Sequence, residues 1–166
     1  MLYYRDIETP LGSLFAIGDA ESLYVLEYPE SKRKASLITS LEKATSQEAA
    51  PGTSPAIDSI EGELEHYIKG DLRVFTTRLV PHGTPFQQRV WQALCAIPYG
   101  ETRTYRDVAE AIGMPRAYRA VARANATNPI SIAIPCHRVV PASGGVGGYG
   151  GGCERKARLI DIEKAI

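Results

Sequence analysis

The stretch SIAIPCHRVVPASGGVGGYGGG, residues 131–152, sets Cys136 directly beside His137, with Pro135 before the pair and a loop built largely of glycine after it. A cysteine attacks as its thiolate, and a nearby base or cationic field favours that form. His137 is a candidate for the base and Arg138 for the field. Neighbours on an extended strand point to opposite faces, so His137 reaches the sulfur only if the chain turns here or a water bridges the two. Pro135 removes an amide and fixes the backbone, which favours a turn, and the apolar run at 130–134 reads as a strand that stops where Cys136 starts. A small buried hydrophobe beside a surface histidine is the competing reading, and local sequence leaves both open.

Cys95 and Cys153 bring the cysteines to three, an odd number with no C-x-x-C pair, so a disulfide framework is not expected. Reduced thiols and a cytoplasmic location are. Cys95 shares a helical stripe with Trp91 and reads as core. His66 lacks a second ligand type at metal spacing and His82 reads as a loop residue, so no metal is expected. The N-terminus shows no basic segment leading into an apolar run, and no apolar run approaches about eighteen residues, so neither export nor membrane insertion is expected.

The elements that must position Cys136 follow from pattern. The 166 residues, 44% hydrophobic and 23% charged, suit one globular domain or two small lobes. Apolar segments at 2–7, 14–17 and 23–28, separated by TPLG and Gly18-Asp19 turns, predict an antiparallel meander. A helix is expected at 34–46, between Pro29 and the Pro51, Gly52 and Pro55 cluster. Ile57, Ile60, Leu64, Tyr67 and Ile68 recur at helical spacing, with Glu61, Glu63 and Glu65 facing out. A strand at 72–79 and the linker PHGTP then divide an N-terminal lobe, 1–80, from a C-terminal lobe, 81–166.

In the second lobe Phe86, Val90, Leu94 and Ile97 predict a helix ended by Pro98 and Gly100. Helices at 104–112 and 116–125 around Gly113 form a helix-turn-helix pattern, the second being the candidate recognition helix. Ala117, Val121 and Ala124 make its inward face, while Arg116, Arg119 and Arg123 make an outward basic one. Alanines, Ala120 among them, would let its backbone lie close to the floor of either nucleic-acid groove. Charge is distributed accordingly: 8 Lys and Arg against 13 Asp and Glu in residues 1–80, but 11 against 6 in residues 81–166.

NPISIAIPCHRVV followed by SGGVGGYGGG, and preceded by TPFQQRVWQALCAIPYGETRTYRDVAEAIG, closely resembles the O6-alkylguanine-DNA alkyltransferases, also called methylated-DNA–protein-cysteine methyltransferases. The resemblance is dense over residues 84–163; residues 1–80 resemble the family only in layout. It implies an α+β fold with a small ribonuclease H-like N-terminal sheet and a mostly helical DNA-binding lobe. It further implies irreversible, single-turnover transfer of an alkyl group from O6-alkylguanine, and from O4-alkylthymine, in flipped-out DNA bases.

By that resemblance Cys136 is the acceptor, His137 its base through a water, Glu163 the carboxylate that orients the histidine, and Asn128 the brace of the turn. Tyr105 matches the tyrosine that donates to the guanine ring, and Arg119 the arginine that enters the vacated stack, with Arg116, Arg123 and Ala120 on the same DNA-facing surface. Pro135, Val139, Tyr149 and Gly150 would line the base pocket. The expected partner is double-stranded DNA carrying the lesion, with no cofactor, no obligate protein partner and a monomeric state. The adaptive-response activator domain is not expected. CERKARLIDIE departs from the family's Lys-Glu-Trp-Leu-Leu run, with Lys156, Ala157, Arg158 and Leu159, and Cys153 stands where an aliphatic residue is common. The rivals are a non-catalytic lesion-binding module of the alkyltransferase-like type, against which Cys136 itself argues, and a thiol hydrolase, which leaves the arginine helix unexplained.

Overall fold

The computed structural model describes residues 1–28 and 32–165. Contacts divide the chain into two compact units, Met1–Pro81 and His82–Ile166. The class is α+β: a small mixed sheet and six helices among the described residues. None of those helices is long and apolar enough to cross a membrane.

In the first unit β1 (Leu2–Thr9), β2 (Gly12–Gly18) and β3 (Leu23–Glu27) form the expected meander. The sheet is not purely antiparallel, because β4 (Ala49–Pro51) joins β1 in parallel, giving the order β3-β2-β1-β4. Every side chain of β3 is buried. The helix α1 (Lys34–Thr45) packs Leu37, Ile38 and Leu41 on Leu2, Phe15 and Ile17; Pro29, its expected boundary, lies outside the described residues. The helix α2 (Pro55–Lys69) starts at an Ser54 cap, ends at Gly70 in the left-handed region, and buries Ile57, Ile60, Leu64 and Tyr67.

The strand expected at 72–79 does not form. Glu63, read as simply outward-facing, instead accepts hydrogen bonds from the backbone and hydroxyl groups of Thr76 and Thr77. A carboxylate that satisfies these donors replaces a ladder partner, and only a single parallel bridge, Leu23 to Leu79, remains.

The second unit opens with α3 (Pro85–Cys95), held at its start by a Thr84–Gln87 capping box. Val90, Trp91 and Leu94 are buried, and Trp91 Nε1 donates to Ala124 O at 2.9 Å. Cys95 is exposed rather than core, because the helix ends there and its stripe outruns the packing. Next come β5 (Arg103–Thr104), α4 (Tyr105–Ala111), and α5 (Tyr118–Ala126). The candidate recognition helix, α5, therefore starts two residues later than expected: Arg116 and Ala117 belong to the turn, and Ala117 is only half-buried. A short 3-10 turn (Cys136–Arg138), β6 (Val139–Val140, parallel to β5) and α6 (Cys153–Lys164) complete the unit.

A Cβ on Gly83 would lie 2.6 Å from Trp91 Cζ3, inside any tolerable contact. Gly83→Ala should therefore overpack this junction and cost about 1–3 kcal/mol, read as a melting temperature several degrees lower. An unchanged melting temperature would mean that the Trp91 ring yields freely.

Candidate active site

No strand leads into Cys136. Residues 131–134 form turns, and Ile132 has a φ of +71°, a conformation in which a β-branched residue is strained. Asn128 holds that shape, its amide donating to Ile134 O at 2.8 Å and its carbonyl accepting from Ile130 N at 3.0 Å. Pro135, at φ −80° and ψ 63°, makes an inverse γ-turn in which Cys136 N donates to Ile134 O at 2.8 Å. Arg138 N then donates to Pro135 O at 3.0 Å, closing the 3-10 turn. The chain does turn at Cys136, the first of the two conditions under which adjacent Cys and His side chains can act together.

Cys136 is buried with 6% exposure, and it is the one buried thiol of the three. His137 is fully buried, and its Nε2 lies 2.8 Å from Glu163 Oε2. That contact selects the Nε2–H tautomer and makes Nδ1 the nitrogen able to take a proton. Glu163, in the last turn of α6, also receives Arg138 Nε at 2.9 Å, Arg138 Nη2 at 3.0 Å and Gly100 N at 3.4 Å. Gly100 needs its residue type twice, for a φ of +83° and because a Cβ would come 3.1 Å from Glu163 O.

Burial pushes the Cys136 thiol up, opposed by the Asn128 amide, the Lys156 ammonium and local backbone amides. Burial also pushes His137 down, against the pull of Glu163 and with the help of Arg138 and Lys156. The resting pair is thus neutral thiol and neutral imidazole. Tyr105, first residue of α4 and half-buried, is raised by burial and then by the Cys136 sulfur, so its phenol stays a proton donor.

Sequence reasoning missed Lys156 as a site residue. It is fully buried, and its Nζ donates to Val139 O at 2.7 Å and Gly148 O at 3.1 Å, tying the glycine loop to β6. The signal was present: Lys156, Leu159 and Glu163, spaced by three and four, are the buried face of α6. Arg138, expected from sequence as a source of positive field, is bound to Glu163, with Nη1 donating to Ile97 O at 2.7 Å. Asn125 was missed too, its Nδ2 donating to Cys136 O at 3.4 Å.

The structure gathers Cys136, His137, Glu163, Asn128 and Pro135 in one buried cluster, with Val139 buried beside them. Tyr149 is half-buried and Gly150 exposed in the glycine loop. Arg119 and Arg123 are exposed on α5 and Arg116 is exposed in the preceding turn, while Ala120 is half-buried.

The family described as 6-O-methylguanine DNA methyltransferase, DNA binding domain, matches residues 85–165. The methylated-DNA–protein-cysteine methyltransferase of Methanosarcina barkeri is 42% identical over 165 residues, 98% of this chain and 98% of its own. The protein of that name from Mycobacterium tuberculosis is 45% identical over 166 residues, 99% of this chain and 94% of its own. The crystal structure of Mycobacterium tuberculosis OGT in complex with DNA aligns with a TM-score of 0.84 at 41% identity, covering 98% of this chain and 92% of that one. With identity of this order running end to end through both units, the chain belongs to the methylated-DNA–protein-cysteine methyltransferase family.

Proposed function

We propose that the protein repairs DNA by moving an alkyl group from O6 of guanine, and from O4 of thymine, onto Cys136, and that each molecule acts once. The observation that carries this reading is that one cysteine of three is buried, and that this cysteine adjoins the His137–Glu163 pair. Three reduced thiols suit a cytoplasmic protein, and nothing in the chemistry requires a second subunit, so the working unit is a monomer.

The alkyl carbon of such a lesion lies inside the duplex, so the nucleotide must leave the stack before sulfur can reach it. The side chains of Arg116, Arg119 and Arg123 make no hydrogen bond or ion pair with the described residues, which leaves their charge for phosphate. Arg119 enters the gap. In the pocket the S–C bond forms as the C–O bond breaks; His137 Nδ1, through a water, takes the thiol proton. Tyr105 donates to the departing purine and spreads its developing charge. The base pocket is lined by Pro135, Val139, Tyr149 and Gly150. A thioether has no leaving group comparable to guanine, so nothing restores the thiol and the protein is consumed.

Mixing with DNA containing O6-methylguanine should add the mass of one CH2 unit per protein, on Cys136, with no turnover beyond equimolar. Methyl on Cys95 or Cys153, or repeated turnover, would overturn the assignment. Cys136→Ser should abolish transfer while keeping DNA affinity close to that of the unaltered protein, since the arginines are untouched.

The same variant tests the resting protonation state. Above the ordinary thiol value of 9.0 an unfolded Cys136 loses its proton while the buried thiol, raised above that value, keeps it. The unfolded state then binds fewer protons, so this group's contribution to stability falls as pH rises. Serine does not titrate there, so the urea midpoint of the unaltered protein should drop relative to that of Cys136→Ser from about pH 8 to pH 10. A difference independent of pH would show that the thiol is not held protonated.

Arg119 should separate from the other arginines. If it fills the vacated stack, its loss raises the cost of extrusion, about a few kcal/mol to begin with, so Arg119→Ala should slow duplex transfer far more than it weakens ground-state binding. Free O6-benzylguanine needs no extrusion, and its reaction with Cys136 should change little. Arg116→Ala should instead weaken binding and lower its salt dependence by about one ion. Parallel slowing on duplex and free base would remove the wedge role.

A further inference from the structure

Tyr118 opens α5, and two guanidiniums lie over its ring: Arg106 Cζ from α4 at 4.8 Å from the centroid and Arg119 Cζ at 5.8 Å. Both side chains are exposed, and neither guanidinium makes a hydrogen bond or ion pair with the described residues.

Two like charges drawn to one ring repel each other, so something must hold them there. Glu110 stands four residues after Arg106 on α4, the spacing at which a helical ion pair forms, yet the pair is not made. Asp107, the next residue after Arg106, is occupied in the Thr104 capping box. Arg106 is turned to the ring instead. The face of an aromatic ring carries partial negative charge and attracts a guanidinium without neutralising it. A carboxylate would fix the side chain equally well but would consume the charge and the N–H donors; a tyrosine ring leaves both for an anion.

We propose that Tyr118 is a positioning residue, whose ring gathers Arg106 and Arg119 into one un-neutralised pair, so that Arg106 takes a backbone phosphate beside the nucleotide that Arg119 displaces. This rests on the reading that the α5 face meets DNA. Ordering a long arginine side chain before DNA arrives reduces what must be ordered at the moment of extrusion. The anion is a phosphodiester, since Arg106 then contributes to affinity whatever the neighbouring base.

The test compares Tyr118→Phe and Tyr118→Leu, reading the rate of transfer from O6-methylguanine duplex divided by the rate with free O6-benzylguanine. Phenylalanine keeps the ring face and should hold the ratio. Leucine keeps apolar bulk without the face and should lower the ratio about threefold, the size of an exposed cation–π contact. Arg106→Ala should lower the ratio as well, and joining it to Tyr118→Leu should add less than the product of the two effects. A leucine variant with the unaltered ratio, equal losses in both tyrosine variants, or multiplicative losses in the double variant would overturn the role. Should Tyr118→Leu not fold, Arg106→Ala decides: an unchanged ratio and an unchanged salt dependence of binding overturn the proposal. Failure of the unaltered protein to take up methyl from duplex would sink the repair reading itself, whereas normal uptake with an indifferent Tyr118 sinks only this inference.

Discussion

The second unit is organised around a single buried carboxylate. Glu163 accepts from the His137 ring, from two nitrogens of Arg138 and from the Gly100 amide, so α6, the 3-10 turn and the loop before β5 converge on one side chain. Burying a carboxylate is costly unless it is paired and its lone pairs are filled. Arg138 meets both conditions, being bidentate to Glu163 and bound through Nη1 to Ile97 O. Removing either partner would leave a charge stranded in the interior, which is the severe case for a buried pair.

That pairing also sets the chemistry. A histidine beside a lone buried carboxylate would be drawn toward imidazolium and would have no capacity to accept a proton. Here Arg138 offsets Glu163, and burial outweighs the remaining attraction, so His137 is pushed down rather than up. The carboxylate keeps its orienting role while the ring stays neutral. Cys136 obeys the same logic in reverse: burial keeps it a thiol, yet Asn128 and Lys156 are arranged to favour the thiolate once the proton has a destination. A buried sulfur that rests as the neutral thiol is also kept from the oxidation that exposed thiolates suffer.

The parts legible in sequence were those with local causes. The meander, the capped helices and the turn at Pro135 each follow from a few neighbouring residues, and the sequence resemblance singled out Cys136, His137 and Glu163 together. The failures have long-range or competitive causes. Three residues of β4 are too few to show a period of two, and their pairing with β1 spans most of the unit. Residues 72–79 carry strand-like composition, but Glu63 claims the amides that a ladder would use. Arg138 looked like a free cation because its partner is 25 residues away in sequence. Arg116 was placed on α5 by spacing alone, whereas the turn after Gly113 runs two residues further before the helix begins.

Single use relaxes a constraint that shapes most enzymes. A catalyst that turns over must open to release product, and its site is accordingly built from elements of low local stability. In the proposed reaction the alkylated product remains attached to the protein, so Cys136 as acceptor can sit in a turn fixed from several directions. Asn128 spans the turn, Ile132 is held at a strained φ, Pro135 locks the γ-turn, and Lys156 pins the glycine loop to β6. Strain of the kind seen at Ile132 persists only where surrounding contacts over-determine the backbone. In the proposed reaction, contacts around the sulfur then fix the line of attack, and the motion that repair still requires is left to the DNA, whose base travels to a thiol held in place.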